Sequence, residues 1–258
     1  MSPPRARKRF GQHFLVDPHV IDQIVALISP GEREHLVEIG PGRGALTAPL
    51  LATGARLSVI EIDRDLAAFV RAEFGHQPNL EVHLADALDV DFATLEGDAP
   101  MRVVGNLPYN ISTPLILNLV EQACIRDLTF MLQKEVVDRL TAAPGSKHYG
   151  RLSVMVQSRA RVESFFEVTP MAFEPPPKVT SKLVRITPQR NGLSPRCKRE
   201  LESCVRIAFE QRRKILKNTL GKQFNHGVLH RCGISLENRP EDITVDAYVR
   251  LAKSLSGD

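Results

Sequence analysis

The sequence predicts an α/β fold in which a mostly parallel sheet with an antiparallel edge is followed by a small all-helical domain. Between residues 35 and 135, short apolar runs alternate with helical stretches, as in consecutive β-α-β units. Two longer apolar runs lie close together between residues 160 and 190, and apolar residues recur at helical spacing after residue 190. The 258 residues are enough for one large α/β domain and one small domain.

The predicted strands and helices of the sheet region follow one another in order. Five apolar runs predict its parallel strands: His35–Ile39, Arg56–Ile60, Leu80–Leu84, Met101–Gly105 and Leu128–Leu132. Four helices are predicted between and after them: Ala45–Ala52, Arg64–Phe74, Pro114–Gln122 and Lys134–Ala142. The last helix should end before Pro144 and Gly145, because this pair of residues breaks helices.

The end of the sheet and the start of the second domain are also predicted. The runs Val162–Val168 and Val179–Ile186 predict an antiparallel pair at one edge of the sheet. Residues 188–195 combine prolines, a glycine and polar side chains, which is typical of a domain boundary. We therefore assign residues 1–190 to the sheet domain with a basic N-terminal tail, and residues 191–258 to the helical domain.

Composition excludes several classes of protein. No apolar stretch approaches the roughly 18 residues that span a bilayer, and the basic N-terminus lacks the apolar segment of a secretory signal. The four cysteines show no metal-ligand or disulfide spacing, so we expect reduced thiols and no bound metal. These observations predict a cytoplasmic protein with no membrane partner, and we expect a monomer.

The net charge of +4 is unevenly distributed along the chain. Residues 1–9 carry a charge of +4, residues 191–258 carry 13 basic against 8 acidic residues, and the part between is acidic. Basic ends around an acidic middle suggest a polyanionic partner that is bound by the extremities. The charge distribution alone is explained more simply by a disordered tail and a solvated helix face.

A glycine-rich loop, Glu38–Gly44, follows the first predicted strand. Its glycines allow a sharp turn and a close approach to a ligand. The spacing is Gly-x-Gly-x-Gly, and not the Gly-x-Gly-x-x-Gly of dinucleotide folds, in which a helix N-terminus faces a pyrophosphate. The loop therefore favours a nucleoside cofactor without phosphates, bound next to Gly40 and Gly42.

Acidic residues end or follow the next two predicted strands. Glu61 lies 21 positions beyond Gly40, where a carboxylate can accept both hydroxyls of a ribose, although dehydrogenases and plain solvated strand ends share this arrangement. Asp86 can accept a hydrogen bond from an adenine amine or can cap a helix. Because parallel strands end at one edge of the sheet, these residues are expected to line a single crevice.

The tetrapeptide Asn106-Leu107-Pro108-Tyr109 follows the fourth predicted strand at the same edge. Its amide and carbonyl groups can accept hydrogen bonds from a flat exocyclic amine, its proline fixes the backbone, and its ring can stack on a base. An ordinary turn before a helix would use the same residues. Beside the predicted crevice, the tetrapeptide indicates a site that holds a nucleobase amine.

With these motifs together, the chain resembles the S-adenosylmethionine-dependent ribosomal RNA adenine N6,N6-dimethyltransferases, and more narrowly the bacterial enzymes that act on 16S rRNA. The matching motifs are spread over nearly the whole chain: Lys8–Leu15, Glu38–Gly44, Val59–Asp63, Asn106–Asn110, Tyr149–Ser153, Phe173–Val179 and Gln211–Lys214. The resemblance implies a Rossmann-like class I methyltransferase sheet and S-adenosylmethionine as cofactor. It implies 16S rRNA, in a small ribosomal subunit or its precursor, as the partner.

The resemblance also implies roles for individual residues. The implied cofactor-binding residues are His13, Leu15, Gly40, Gly42, Glu61, Asp86 and Asn106. The implied catalytic residues are Asn106, Leu107, Pro108, Tyr109 and Phe173. The implied RNA-binding residues, with the last four on a basic helix face, are Arg5, Arg7, Lys8, Arg9, Arg212, Arg213, Lys214 and Lys217. Many relatives carry Asn where this chain has His13, a change that a backbone contact survives.

The implied reaction is direct displacement at the sulfonium methyl by N6 of a flipped-out adenosine. Asn106 and the Leu107 carbonyl would accept the two N6 hydrogens, while Tyr109 and Phe173 would stack on the two faces of the base. Orientation, and not proton abstraction, should then determine the rate. Without the resemblance, Phe173 is better explained as a core aromatic residue.

Other functions fit parts of the sequence. A large-subunit rRNA adenine methyltransferase that confers macrolide resistance shares the cofactor and catalytic motifs. A ribosome-assembly factor that acts mainly by binding would share the basic segments, and a nicotinamide dehydrogenase fits the glycine spacing poorly. Residues 149–151 follow a helix breaker, so they could form a mobile loop near the substrate or a plain surface loop.

Overall fold

The computed structural model describes residues 3–7, 10–95, 100–190 and 192–258, with the side chains of residues 109 and 110 outside this description. The chain forms two compact units, Met1–Val137 with Glu163–Pro188, and Asp138–Val162 with Gln189–Asp258. The chain therefore leaves the first unit after Val137, returns to it at Glu163 and leaves it again after Pro188.

The first unit is built on a seven-stranded sheet with the strand order β4-β3-β2-β5-β6-β9-β7. Its strands are β2 (His35–Ile39), β3 (Arg56–Glu61), β4 (Leu80–Leu84), β5 (Met101–Asn106), β6 (Ile125–Gln133), β7 (Ala160–Val168) and β9 (Ser181–Pro188). Strands β4, β3, β2, β5 and β6 run parallel, and β9 runs antiparallel to β6. A separate two-stranded antiparallel sheet pairs β1 (Phe14–Leu15) with β8 (Phe173–Glu174).

Helices α2 (Thr47–Ala52), α3 (Arg64–Phe74) and α4 (Tyr109–Leu119) connect parallel strands, as in β-α-β units. Helix α1 (Pro18–Ile28) precedes β2, and α5 (Lys134–Leu140) follows β6. Helices α1 and α3 begin in the same way, because Asp17 and Asp63 accept hydrogen bonds from backbone amides of the first turn.

The core of the first unit lies around β2, whose five residues are all buried. Burial along the whole strand is typical of a central strand in a parallel sheet, whose two faces are both covered. Ile24 and Ile28 of α1 and Leu50 of α2 pack in the same core. Since β3 and β5 flank β2, the segments that follow these three strands meet at one edge of the sheet.

The predicted fold class is confirmed. The bounds of His35–Ile39, Leu80–Leu84 and Arg64–Phe74 agree with the prediction, and β9 and β7 end the sheet on one side, with β9 antiparallel to β6. The sequence analysis missed α1 and the short strands β1 and β8. The signal for α1 was present, because Asp17 and Pro18 form a typical helix start.

The second unit contains α6 (Arg151–Gln157), α7 (Pro195–Glu210), α8 (Leu220–Gln223), α9 (His226–Arg231) and α10 (Val245–Ser256). Tyr149 and Tyr248 are fully buried, with ring centroids 6.3 and 6.1 Å from that of Phe209. Both hydroxyls donate to backbone carbonyls, Tyr149 to Ile243 at 2.9 Å and Tyr248 to Pro240 at 3.0 Å. No helix in the described ranges is long and apolar enough to cross a membrane.

Residues 138–162 belong to the second unit, whereas the predicted domain 1–190 contained them. The reason is long-range packing of α6 against α7 and α10, which leaves no signal in the local sequence pattern. The structure also differs from a surface loop at residues 149–151, since Tyr149 is buried and α6 begins at Arg151. The one predicted boundary, after residue 190, lies close to the end of the first unit at Pro188.

Candidate active site

A cleft of about 210 Å³ lies in the first unit, where β2, β3 and β5 end. The structure brings together ten residues that the sequence analysis assigned to a site: His13, Leu15, Gly40, Gly42, Glu61, Asp86, Asn106, Leu107, Pro108 and Phe173. Residues 10–15 of the N-terminal segment and Phe173 of β8 form one wall, and the residues at the strand ends form the rest. This is the edge at which open α/β sheets bind nucleosides.

The glycine loop packs tightly under the N-terminal segment. Gly42 has a φ of +57°, and a Cβ at this position would lie 2.8 Å from Cδ1 of Phe14. The guanidinium carbon of Arg43 lies 4.5 Å from the centroid of the Phe14 ring. Only glycine therefore allows both the left-handed backbone and the close contact at residue 42.

Glu61 ends β3 and lines the cleft, although only 5% of it is exposed. Its Oε1 accepts a hydrogen bond from the backbone amide of Asp63 at 2.8 Å. Burial raises the pKa of Glu61 from 4.5 to about 7, while nearby backbone amides partly oppose the rise. A carboxyl held in this way ionises near neutral pH and can then accept both hydroxyls of a ribose.

Glu38 is a second buried carboxyl, near the end of β2. Its Oε2 accepts a hydrogen bond from Thr47 Oγ1 at 2.6 Å, and 2% of the residue is exposed. Burial raises the pKa of Glu38 to about 7, and the charge of Glu61 adds to the rise. The sequence analysis gave Glu38 no role, so a second buried carboxyl in the lining of the cleft is a finding of the structure.

Asp86 follows β4 and lines the cleft while half-buried. Its Oδ1 accepts a hydrogen bond from the backbone amide of Leu88 at 2.9 Å. This contact closes an Asx turn, because residues 87–89 form a turn and not the helix whose cap was the alternative interpretation of Asp86. One oxygen is thus used in the turn, and a contact of the other with an adenine amine stays a prediction.

Asn106 is the last residue of β5, and its Nδ2 donates a hydrogen bond to the backbone carbonyl of His13 at 2.9 Å. Because a carbonyl can only accept, this bond identifies which amide atom faces His13. The acceptor Oδ1 is consequently on the other side of the amide group. Asn106 is half-buried and lines the cleft.

The strand that carries Asn106 is fixed by a close backbone approach. A Cβ at Gly105 would lie 2.5 Å from the carbonyl oxygen of Ile39 on β2, so a larger residue would separate the strands or displace Asn106. The sequence analysis missed Gly105, because a glycine inside an apolar run has many explanations. The backbone amide of Leu107 donates to Met131 on β6 at 3.3 Å.

The rest of the tetrapeptide forms the start of α4. Pro108 precedes the helix with φ −57° and ψ 139°, and Tyr109 is its first residue. The side chain of Tyr109 lies outside the described residues, so its stacking role stays a prediction.

Pairing of β1 with β8 places Phe173 opposite Leu15, next to the cleft. Only 4% of Phe173 is exposed, and the residue also packs in the hydrophobic core. Phe173 is therefore a core aromatic residue that contributes to the cleft wall, and stacking on a base stays a prediction. Nδ1 of His13 lies 2.7 Å from the carbonyl of Pro175, to which it donates.

The basic residues of the N-terminal tail differ in their surroundings. Arg5 is exposed, whereas Arg7 forms ion pairs with Asp63 and Asp65. Lys8 and Arg9 lie outside the described residues. Arg7 is thus paired with acidic residues of the first unit itself, which the sequence pattern did not reveal.

The basic residues of the second unit are not on a helix face, so this part of the prediction is wrong. Helix α7 ends at Glu210, residues 211–214 form a turn, and Lys217 lies in a short 3-10 helix. The four predicted residues, Arg212, Arg213, Lys214 and Lys217, are exposed. Arg212 Nη2 donates a hydrogen bond to the carbonyl of Lys147 at 2.7 Å, which fixes the direction of the Arg212 side chain.

Ile62 is a cleft residue without an assigned role in the sequence analysis. It directly follows Glu61, lines the cleft and is 49% exposed. An exposed isoleucine in a nucleoside cleft offers an apolar surface for a purine. Within the described residues, no cluster of three or more His, Cys, Asp or Glu could hold a metal ion.

The sheet order and the cleft define a Rossmann-like class I methyltransferase. The chain belongs to the ribosomal RNA adenine dimethylase family, whose model matches residues 4–256. The resemblance that the motifs indicated is therefore confirmed.

Named relatives and solved structures agree with this family. "Ribosomal RNA small subunit methyltransferase A" of Pseudomonas aeruginosa is 52% identical over 255 residues, which cover 98% of this chain and 95% of the relative. The crystal structure of a dimethyladenosine transferase from Plasmodium falciparum has a TM-score of 0.79 at 27% identity, covering 95% of this chain and 98% of the other. The 23S rRNA methyltransferase ErmE has a TM-score of 0.74 at 25% identity, covering 94% and 99%.

Proposed function

We propose that this protein uses S-adenosylmethionine to dimethylate N6 of adenosines, two adjacent ones, in 16S rRNA of the small ribosomal subunit. Family membership and the name shared by relatives about half identical in sequence support this function. The orientation of the Asn106 amide is the structural observation that carries it, because a methyl acceptor with two hydrogens needs acceptors in its plane.

The residues of the cleft fit the cofactor. Glu61 would accept the ribose hydroxyls, and Asp86 would accept the adenine amine with its second oxygen. Ile62 would pack on the purine, and the backbone around Gly40 would lie along the rest of the molecule. When bound, S-adenosylmethionine supplies a methyl group on a positively charged sulfur.

The target adenine would be held by acceptors that carry no charge. Asn106 Oδ1 and the Leu107 carbonyl accept the two N6 hydrogens, and so align the nitrogen lone pair with the methyl group. Tyr109 and Phe173 contact the faces of the flipped-out base, and each such stack contributes roughly 1–3 kcal/mol. Alignment would contribute most to the rate, because an amine loses its proton readily only after it has been methylated.

Exposed basic residues would contact the RNA backbone. Arg5 in the first unit, and Arg213, Lys214 and Lys217 in the second, are exposed and can bind phosphates. Such contacts position RNA without reading its sequence, so the folded shape of the subunit would provide much of the selectivity. We further propose that the protein acts as a monomer in the cytoplasm.

The direct test is methylation of isolated ribosomal subunits that lack the modification. The protein is incubated with labelled S-adenosylmethionine and small or large subunits, and the nucleosides are then analysed. We expect N6,N6-dimethyladenosine in the small subunit alone. Label in the large subunit alone would instead support the activity named for the structural neighbour ErmE.

A binding role in ribosome assembly is tested separately. An Asn106→Ala variant that still binds small subunits should fail to methylate them. If that variant restores subunit maturation in cells that lack the protein, its main role is binding; if it does not, methylation is required.

A further inference from the structure

The described part of the N-terminal segment, residues 3–7 and 10–15, forms one wall of the cleft through residues 10–15. Its C-terminal end is held by pairing of β1 with β8 and by the bond from Asn106 to the His13 carbonyl. Its other end is held by contacts of a different chemical kind, which centre on Arg7.

Arg7 contacts two carboxylates at the start of α3. Its Nη1 lies 2.7 Å from Asp63 Oδ1, and its Nη2 bonds the carboxylate of Asp65. The side chain of Asp63 is 2% exposed, whereas that of Arg7 is 38% exposed. The pair therefore joins a buried carboxylate to a cation in contact with solvent, and dissolved salt can weaken it.

Gln12 reinforces the same contact. Its Oε1 accepts from the backbone amide of Arg7 at 2.8 Å, and its Nε2 donates to Asp63 Oδ2 at 3.2 Å. Both oxygens of Asp63 thus accept hydrogen bonds from the N-terminal segment. We call Arg7, Gln12, Asp63 and Asp65 the N-terminal latch.

The latch is connected to the cofactor side of the cleft. The backbone amide of Asp63 donates to Glu61 Oε1 at 2.8 Å, and the Asp63 side chain also caps α3 through the amide of Asp65 at 3.0 Å. A displacement of Asp63 would therefore move the carboxyl assigned to the ribose. Release of Arg7 would weaken the attachment of the segment before β1, where the bond from Gln12 to Asp63 and the bond from Arg43 Nε to the Pro4 carbonyl at 3.1 Å would remain.

We propose that the N-terminal latch holds the segment closed over bound S-adenosylmethionine and so sets how long the cofactor stays in the cleft. Arg7, Gln12 and Asp63 are positioning residues, because they act through the segment and through Glu61. This inference rests on the proposed function, since it takes the cleft as the cofactor site.

The test is the rate at which S-adenosylmethionine dissociates from the full-length protein, measured by rapid displacement with an excess of S-adenosylhomocysteine. In Arg7→Ala we expect dissociation about tenfold faster, as for loss of a hydrogen bond between charged groups. The matched control is Arg64→Ala, which removes the same charge between Asp63 and Asp65 but none of the latch bonds. Its rate should stay within about twofold of the wild type.

Asp63→Asn provides the second variant, because asparagine can still cap α3 and the backbone amide remains in place. It should also accelerate dissociation, and the double variant with Arg7→Ala should be no faster than the faster single variant. Raising the salt from about 0.05 to about 0.5 M should accelerate dissociation in the wild type much more than in Arg7→Ala.

Several outcomes would overturn the latch. Equal dissociation rates in Arg7→Ala and Arg64→Ala would do so, as would fully additive effects of Arg7→Ala and Asp63→Asn. A lower melting temperature in Arg7→Ala without faster dissociation would mean that the contact is only structural. If the wild type does not bind S-adenosylmethionine, the proposed function is also wrong, whereas normal binding with an unchanged Arg7→Ala rate contradicts the latch alone.

Discussion

The two sides of the cleft hold their ligands by different kinds of groups. The cofactor side contains Glu38 and Glu61, two buried carboxyls whose pKa values are raised to about 7. The target side presents the Asn106 amide and the Leu107 carbonyl, which have no charge to lose. Because of this difference, cofactor affinity should depend on the protonation of the buried carboxyls, whereas orientation of the target amine should not. Affinity and turnover can therefore be changed separately.

Removing the Asn106 amide should have the largest effect. In Asn106→Ala we expect the single-turnover rate of methyl transfer to fall about 100- to 1000-fold, because a preorganised partner of the reacting group is lost. The affinity for S-adenosylmethionine, measured by calorimetry, should change less than about tenfold.

Asn118→Ala is the control for this variant, because Asn118 of α4 accepts a hydrogen bond from Gln122, which follows the helix, and is not part of the cleft wall. Its transfer rate should equal that of the wild type. Normal turnover in Asn106→Ala with intact cofactor binding would mean that the Asn106 amide does not orient the target amine.

Glu61→Gln should affect the opposite side. Glutamine keeps the shape but loses the charge, so the dissociation constant of S-adenosylmethionine should rise roughly 10- to 100-fold. Turnover at saturating cofactor should stay within about threefold, since the lost contact is the same in the ground and transition states. Glu73→Gln, an exposed acid on α3, is the control and should change neither quantity.

Much of this arrangement could be predicted from sequence, for a physical reason. Parallel strands end at one edge, so residues that end or follow apolar runs, such as Glu61, Asp86 and Asn106, are brought together by the fold itself. Strands β1 and β8 have two residues each, which is too short for a periodic signal. The pairing of Arg7 with Asp63 joins residues 56 positions apart, and nothing in the local pattern of either predicts it.

The close approach of β5 to β2 at Gly105, which positions Asn106 next to the cofactor side of the cleft, can also be disturbed. In Gly105→Ala the new Cβ would lie 2.5 Å from the Ile39 carbonyl oxygen, so we expect the free energy of unfolding to fall by about 1–3 kcal/mol. Urea denaturation measures this change, and both cofactor affinity and turnover should fall with it. Gly31→Ala is the control, because its Cβ would meet only Glu34 Cγ at 3.8 Å. Equal stability of the two variants would show that β5 and β2 can separate without cost.

The smallest expected effect is the dependence of cofactor affinity on pH. Because burial raises the pKa of Glu61 to about 7, only about one tenth of it is ionised one unit below that value. The dissociation constant of S-adenosylmethionine should therefore rise about tenfold between pH 8 and pH 6, and Glu61→Gln should lose most of this dependence. An affinity that stays constant over this range would mean that Glu61 binds the ribose as a neutral group.

The ligand-free protein should respond to pH in the opposite direction. The folded-state pKa values of Glu38 and Glu61 lie above the ordinary value of 4.5, so ionising these residues costs more in the folded than in the unfolded chain. Their contribution to stability is therefore present at low pH and is lost as the pH rises from about 4.5 through about 7. The melting temperature of the free protein should fall over this range, while the increase in melting temperature produced by S-adenosylmethionine should grow. If the difference between the melting temperatures with and without S-adenosylmethionine becomes smaller as the pH rises, charge-dependent binding on the cofactor side is contradicted.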